Sequence, residues 1–500
     1  VKTLLAALLV SSRAVSGQEP PSGERQPLEP AVARSSAVSE TGLEDSQDRS
    51  PRVMLELLGL DEPFWNSFVD GRPLEPAEHE HLLRLLYRLQ QFGSGVLAQA
   101  AQPVPAWSQL AGEPRRYRGE VVAGEGQLQR VTREALSAEE QNRLHYPAWF
   151  RCQVVLAGGQ QAEVCALAVP GDWKLDVPLN ERVAFDGILV KWTSPVSGGA
   201  PGEGAGRLVL AAKRLAWYPR NLLGDLRMDF GLFDGVRDRT RLNERDCFYQ
   251  LLAAVVRAAP GQIEAAGRMQ LSALRDDLPA LLRDPDLPAR QRASARRALQ
   301  RAERGASDVV PLFNAPADQR GKLFVVRGDA LRAIEIRVTD LDIVTRYGFD
   351  HYFEVELVTD DSQNHPVVCC VADLPAGMPL GERIHEPVVV SGFFLKSWAY
   401  EASSAADDEP VQAAGKRQLL APMLVARTLH RVAAPDSAGT GLLTSIGLTV
   451  LLAMACALVW WFARTDRVAL RRARLGGTML PERIVLEGAS NEEQKRQDAE

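Results

Sequence analysis

The chain has 500 residues, of which 46% are hydrophobic and 24% charged, and its net charge is −6. That length leaves room for two to four domains, and the composition is that of a globular chain rather than a collagen-like or wholly disordered one. The acidic balance excludes a general polyanion binder and leaves basic stretches to be judged one at a time.

The first residues, "VKTLLAALLVSSRAVSG", place Lys2 before a short apolar run and small residues near Gly17. This pattern predicts a signal peptide over 1–17, with an uncleaved N-terminal anchor as the alternative. Residues 18–52 are rich in Glu, Pro, Ser and Arg and nearly free of aromatics, which predicts a disordered spacer.

A helical unit is expected over 53–110. "LDEPFWNSFVDGRPLEPAEHEHLLRLLYRL" carries a stripe of Leu82, Leu85, Leu86 and Leu89 at helical spacing. The "EHEH" at 78–81 sets two histidines on opposite sides of that helix, so they cannot share a metal. A β-barrel follows over 111–220. Its expected parts are an opening strand in "RRYRGEVVAG", a hairpin over "WFRCQVVLAGGQQAEVCALAV", a strand in "ERVAFDGILVKW" and a last strand in "RLVLAAKRLAWY". Cys152 and Cys165 are expected to be small buried hydrophobes, with a cross-strand bridge as the alternative.

The plan then repeats. A second helical unit, 225–260, opens with "MDFGLFDGVRDRTRLNERD", and one interval relates Asp61 to Asp229, Asp70 to Asp238, and Leu74 to Leu242. These aspartates suit caps or turns beside helices better than acid–base chemistry. An insert over 261–310 contains "PARQRASARRALQRAERG", whose arginines are offset by nearby acids, so a solvated helix is expected rather than a nucleic-acid contact. The second barrel spans 311–433, with "ALRAIEIRVTD" read as its opening strand. "VTDDSQNHP" in its hairpin is read as a turn.

"GILVKW" and "GFFLKSW" stand at one common interval in the two barrels. A small closed barrel must bend its strands, and Gly187 and Gly392 allow that bend. Lys191, Trp192, Lys396 and Trp398 then fall at strand ends near the barrel rim and are the candidate binding residues. No catalytic motif and no metal-ligand spacing occurs, so no catalytic residue, metal or cofactor is assigned. The loops before the last strands are uncharged or acidic, which argues against nucleic acid.

Residues 441–463, "GLLTSIGLTVLLAMACALVWWFA", carry no charge and are expected to form a transmembrane helix. Arg464, Arg467, Arg471, Arg472 and Arg474 follow, which predicts a cytoplasmic tail over 464–500 and the bulk of the chain outside.

The stretch "DDSQNHPVVCCVADLPAGMPLGERIHEPVVVSGFFLKSWAYEA", with "LLAPMLVARTLHRV", resembles a family of uncharacterised bacterial membrane-anchored proteins built from tandem barrels. The resemblance covers roughly 310–432 and, more loosely, 53–258. It implies an envelope location and this repeat layout, and it supplies no catalytic residue. The expected fold class is therefore α+β. It comprises two five-stranded OB-like barrels (SH3-like as the alternative), each preceded by a helical unit, and one transmembrane helix. The expected role is a non-enzymatic binding or scaffolding protein with an envelope protein partner and a single-pass membrane contact. A ligand- or metal-dependent enzyme or chaperone acting at the barrel mouths is the alternative.

Overall fold

The computed structural model describes residues 51–93, 95–105, 109–110, 113–193, 206–401, 418–432, 448–462 and 464. The expected signal segment, nearly all of the spacer, the 194–205 and 402–417 loops and the tail beyond Arg464 lie outside the described residues. The chain divides into two units, Val1–Val432 and Ala433–Glu500.

The first unit holds both repeats. Helices α1 (Pro51–Leu57), α2 (Glu62–Asn66) and α3 (Pro76–Leu89) precede a sheet of strands β1 (Gln102–Pro103), β2 (Val121–Ala135), β3 (Ala148–Leu156), β4 (Gln161–Ala168), β5 (Glu181–Thr193), β6 (Arg207–Arg214) and β7 (Ala216–Trp217). Its order is β1-β2-β3-β4-β6-β5-β7, and a β2–β5 pairing joins the ring. Helix α4 (Arg245–Arg257) and the insert helices α5 (Gln262–Leu282) and α6 (Ala289–Glu303) precede β8 (Leu323–Arg337), β9 (His351–Val358), β10 (Val367–Val371), β11 (Glu386–Glu401) and β12 (Gln418–Arg431). These five strands close a barrel in the order β10-β12-β11-β8-β9. In each ring one pairing is parallel, β4 with β6 and β10 with β12. The architecture is barrel-like and consistent with an OB-like fold.

The expected fold class needs correction on two points. The first sheet has seven strands, because two-residue strands add to β2 and β5. Among the described residues no helix is long and apolar enough to cross a membrane. The described helix at 448–462 rises only about 22 Å at 1.5 Å per residue, against a hydrocarbon core of about 30 Å. Residues 441–447 and 463 of the expected span lie outside the described residues.

The repeat is visible in the hydrogen-bond ladders. The first long strand shifts register between Leu128 and Arg130 in one ring, and between Ala330 and Arg332 in the other. Just before these bulges stand Gly126 and Gly328. A Cβ there would lie 2.1 Å from the Val155 carbonyl oxygen and 2.3 Å from that of Val358. Both bends depend on the absence of a side chain. The opening strand of the second barrel therefore starts at Leu323, earlier than the "ALRAIEIRVTD" reading placed it.

Each helical unit packs on the outside of its own ring. Leu82, Leu85, Leu86 and Leu89 of α3 share a core with Trp149, Ile188 and Val190, while a separate core including Leu128, Cys152 and Leu189 fills the ring. The second repeat does the same, with Phe248, Leu251 and Leu252 of α4 against Phe393 and Leu395. Cys152 and Cys165 are both buried and unbridged. The insert is tied down by its arginines: buried Arg301 donates to Asp361 at 2.8 Å, and Arg297 lies 3.4 Å from Asp308. Asp361, in the turn after β9, also accepts from the Val309 N–H at 3.2 Å.

Candidate functional site

The recurring phrase marks an internal latch. In β5, Leu189 faces the ring interior, so simple alternation would send Lys191 inward as well. A register shift between Leu189 and Lys191 prevents this, and Val190 and Lys191 both turn toward the helical unit. The shift recurs between Phe394 and Lys396 in β11. Lys191 Nζ lies 2.8 and 2.7 Å from the two carboxylate oxygens of Glu78 in the first turn of α3. Lys396 Nζ lies 3.1 and 2.9 Å from those of Glu244, just before α4, and donates to Thr240 Oγ1 at 2.9 Å.

Two further groups repeat around each lysine. The Asp70 carboxylate accepts from the Trp192 N–H at 3.2 Å and pairs with Arg118. The Asp238 carboxylate accepts from the Ser397 N–H at 2.9 Å and pairs with Arg320. Each arginine is followed by a glycine with positive φ, Gly119 at 83° and Gly321 at 70°. The Gly119 Cβ position lies 3.1 Å from the Trp65 ring, and that of Gly321 lies 3.1 Å from Phe233. Burial alone would raise the Glu78 and Glu244 carboxyls. The lysine ammoniums and the backbone N–H groups outweigh it and hold both below the ordinary value.

The rim assignment of the candidate residues is therefore corrected. Lys191 is 2% exposed and Lys396 is fully buried, so neither ammonium is offered to a partner. Trp192 is half-buried against the core of the first ring, and Trp398 against the helix-facing core of the second. Lys191 and Lys396 hold each helical unit to its barrel, Trp398 packs against that joint in the second repeat, and Trp192 contributes its main-chain N–H to Asp70. Gly187 and Gly392 do not adopt positive φ. Their role is close approach, with a Cβ position 3.2 Å from the Ala211 carbonyl oxygen and 2.9 Å from that of Val425.

Asp61 caps α2 through the Phe64 N–H, but its repeat equivalent Asp229 does more. Asp229 is 1% exposed and lies 2.5 Å from Arg214 of β6. It accepts from the Trp217 N–H and the Gly231 N–H, each at 2.9 Å, while its own N–H donates to Gln250 of α4. Burial raises its carboxyl, a shift only partly offset by Arg214 and the two N–H groups. One residue thus joins the last strands of the first repeat, through its side chain, to the helix of the second, through its main-chain N–H.

Beside this joint lies a cleft of about 410 Å³ between the repeats. Strands β2, β5, β6 and β7 form one wall, Leu97 and Ala98 form an end, and Leu232, Asp246, Gln250, Arg346 and Tyr347 close the other side. Most of its charges are paired within the protein: Arg214 with Asp229, Arg227 with Glu125, and Arg346 with Asp246. Asp186 is half-buried and, among the described residues, its carboxylate makes no hydrogen bond or ion pair. Burial raises its carboxyl. Among the described residues Lys213 has no carboxylate partner, and its ammonium donates to the Phe92 carbonyl at 3.0 Å. Burial also raises the Tyr218 and Tyr347 hydroxyls. Among the described residues no group of ligating side chains could hold a metal ion.

Sequence reasoning did not single out Asp186 or Lys213. Asp186 interrupts the otherwise apolar "VAFDGILV", and Lys213 with Arg214 interrupts "LVLAAKRL"; those interruptions were the available signal.

No family model matches the chain. No curated protein matches it. Among solved structures the chain is similar to one described as "a putative aspartyl-tRNA synthetase from Leishmania major Friedlin", at 12% identity and a TM-score of 0.14. The match covers 52% of this chain and 50% of that one, so the chain spans about half the length of that structure. Similarity at this level carries no argument about fold or activity.

Proposed function

We propose that the chain is a non-enzymatic binding or scaffolding protein whose two repeats present the cleft between them. The supporting observation is how the cleft's charges are disposed. Two ion pairs, Arg214–Asp229 and Arg227–Glu125, hold its walls together, a third, Arg346–Asp246, lies within the second repeat, and one carboxyl and one ammonium are left over for recognition. The walls are built on strands and helices of both repeats, which favours a preformed site. The five buried cysteines do not suit a nucleophile, since burial pushes each thiol up and disfavours the thiolate. The cell envelope remains part of the proposal as the place of action, and fractionation of cells expressing the full chain tests it.

A photoreactive residue at Ala98, an exposed position on the cleft, tests the reading in intact cells. A discrete adduct is expected there and none from the same residue at exposed Arg133, away from the cleft. Equal labelling from both positions overturns the proposal. A second reading, an enzyme, is favoured by one feature: the raised Asp186 carboxyl suits a general acid. Turnover of a bound ligand, abolished by Asp186→Asn, would decide for it.

A further inference from the structure

We propose that the cleft between the repeats binds a free apolar α-amino acid, its ammonium on Asp186, its carboxylate on Lys213 and its side chain against Leu97 and Leu232. The inference rests on the binding-protein reading and deepens it by naming the class of ligand.

Two groups of opposite charge are in place. Asp186 and Lys213 flank the paired residues Gly187 and Ala212 on neighbouring strands β5 and β6. Both side chains line the cleft just beyond the end of that ladder. They nevertheless form no ion pair, because the Lys213 ammonium turns to the Phe92 carbonyl. That bond engages one of three ammonium protons and leaves two for an incoming carboxylate. The Asp186 carboxylate has no donor at all among the described residues. A ligand carrying only a cation would leave Lys213 unmatched, and one carrying only an anion would leave Asp186 unmatched. An α-amino acid presents both charges one carbon apart, which suits two groups on adjacent strands.

The remaining surface selects the substituent. Leu97 and Leu232 line the cleft from the two repeats, and Tyr218 and Tyr347 line it as well. The other ionic groups are engaged in the three ion pairs named above, so a charged substituent would meet no free counter-charge. About 410 Å³ accommodates a single amino acid with its water more readily than a folded protein segment. Burial of Asp186 also strengthens any charge-assisted bond it accepts, because the local dielectric is lower than water's.

The test is calorimetric titration of the full chain with L-leucine, L-leucinamide and 4-methylpentanoate. Leucinamide lacks the carboxylate and 4-methylpentanoate lacks the ammonium. Leucine is expected to bind, and each analogue to bind at least roughly tenfold more weakly. Asp186→Asn and Lys213→Met preserve side-chain size and should each cost leucine at least roughly tenfold, with thermal melts unchanged. Lost folding in one variant leaves the analogue series and the other variant to decide. No heat with leucine, or equal affinity for all three compounds, overturns the inference. A specific adduct at Ala98 without leucine binding would leave the binding-protein reading standing and remove only the ligand class. Leucine binding with chemical conversion would keep the site and remove the non-enzymatic reading.

Discussion

Lys396 in β11 and Glu244 at the head of α4 share a buried ion pair, with Nζ 2.9 and 3.1 Å from the two carboxylate oxygens. The lysine is fully buried, so its charge has no water to fall back on. Breaking such a pair on one side leaves an uncompensated buried charge, at a cost of about 3–5 kcal/mol. Glu244→Gln should therefore lower the urea midpoint strongly. The double variant Glu244→Gln with Lys396→Met should recover much of the loss, because neither charge is then stranded. A double variant no better than the single one would show that the hydrogen bonds donated by Lys396 Nζ, rather than the charge, hold the helix.

The same geometry fixes a pH dependence. The Glu78 and Glu244 carboxyls lie below their ordinary value, the bonds from Lys191, Lys396 and backbone N–H groups outweighing burial. A carboxyl with a depressed folded pKa contributes stability that is fully present above its unfolded pKa of about 4.3. That stability is lost as pH falls through the folded value. Buried Asp229 acts in the opposite sense, since its raised carboxyl costs stability at neutral pH and is relieved on acidification. The net fall in urea midpoint below about pH 4.3 should therefore shrink when Glu78 and Glu244 are both replaced by Gln. An unchanged acid limb would assign it to other carboxylates.

Much of this latch was legible in the sequence, but its purpose was not. The spacing of "GILVKW" and "GFFLKSW" located both bulged strands, and the paired aspartates located both helical units. Periodicity then failed at the informative point. Alternation assigns every second residue to one face, and the bulge before Lys191 and Lys396 breaks that rule. A charged residue at a strand end also reads as solvated unless its partner is known, and Glu78 lies more than a hundred positions away from Lys191. Arg118 and Gly119 stand within the expected opening strand of the first barrel, but their counterparts Arg320 and Gly321 precede Leu323 and so lie outside the "ALRAIEIRVTD" reading, which hid the match. The cleft was hidden for another reason. It exists only where two repeats meet, and no local pattern in either repeat encodes the meeting.

The repeated glycines should rank by the space behind them. A methyl group at Gly126 would sit 2.1 Å from a carbonyl oxygen, at Gly392 2.9 Å, and at Gly187 3.2 Å. Overpacking of this kind costs about 1–3 kcal/mol when the neighbour cannot move. Thermal melts of the three alanine variants should therefore fall in the order Gly126, Gly392, Gly187, with Gly187→Ala nearest wild type. A reversed order would mean that the sheet edges relax more readily than the ladders suggest.

Asp229 joins the repeats, and its removal should separate them. The residue engages Arg214 and Trp217 on one side and the α4 side chain of Gln250 on the other. The Trp217 ring also packs edge-on to Phe230, with centroids 5.8 Å apart. Asp229→Asn keeps an acceptor for the Trp217 and Gly231 N–H groups but loses both the charge and the acceptor facing Arg214, because an amide nitrogen replaces the second oxygen. Asp229→Leu leaves both N–H groups and the Arg214 guanidinium without their acceptor, a loss of several kcal/mol. Each repeat has its own ring interior and its own helix-facing core, so each can stay folded after the joint fails. Calorimetry should then show one transition for wild type and for Asp229→Asn, and two for Asp229→Leu. A single transition for Asp229→Leu at the wild-type temperature would place the coupling in the aromatic contact instead, and Phe230→Ala would then be the variant that splits the melt.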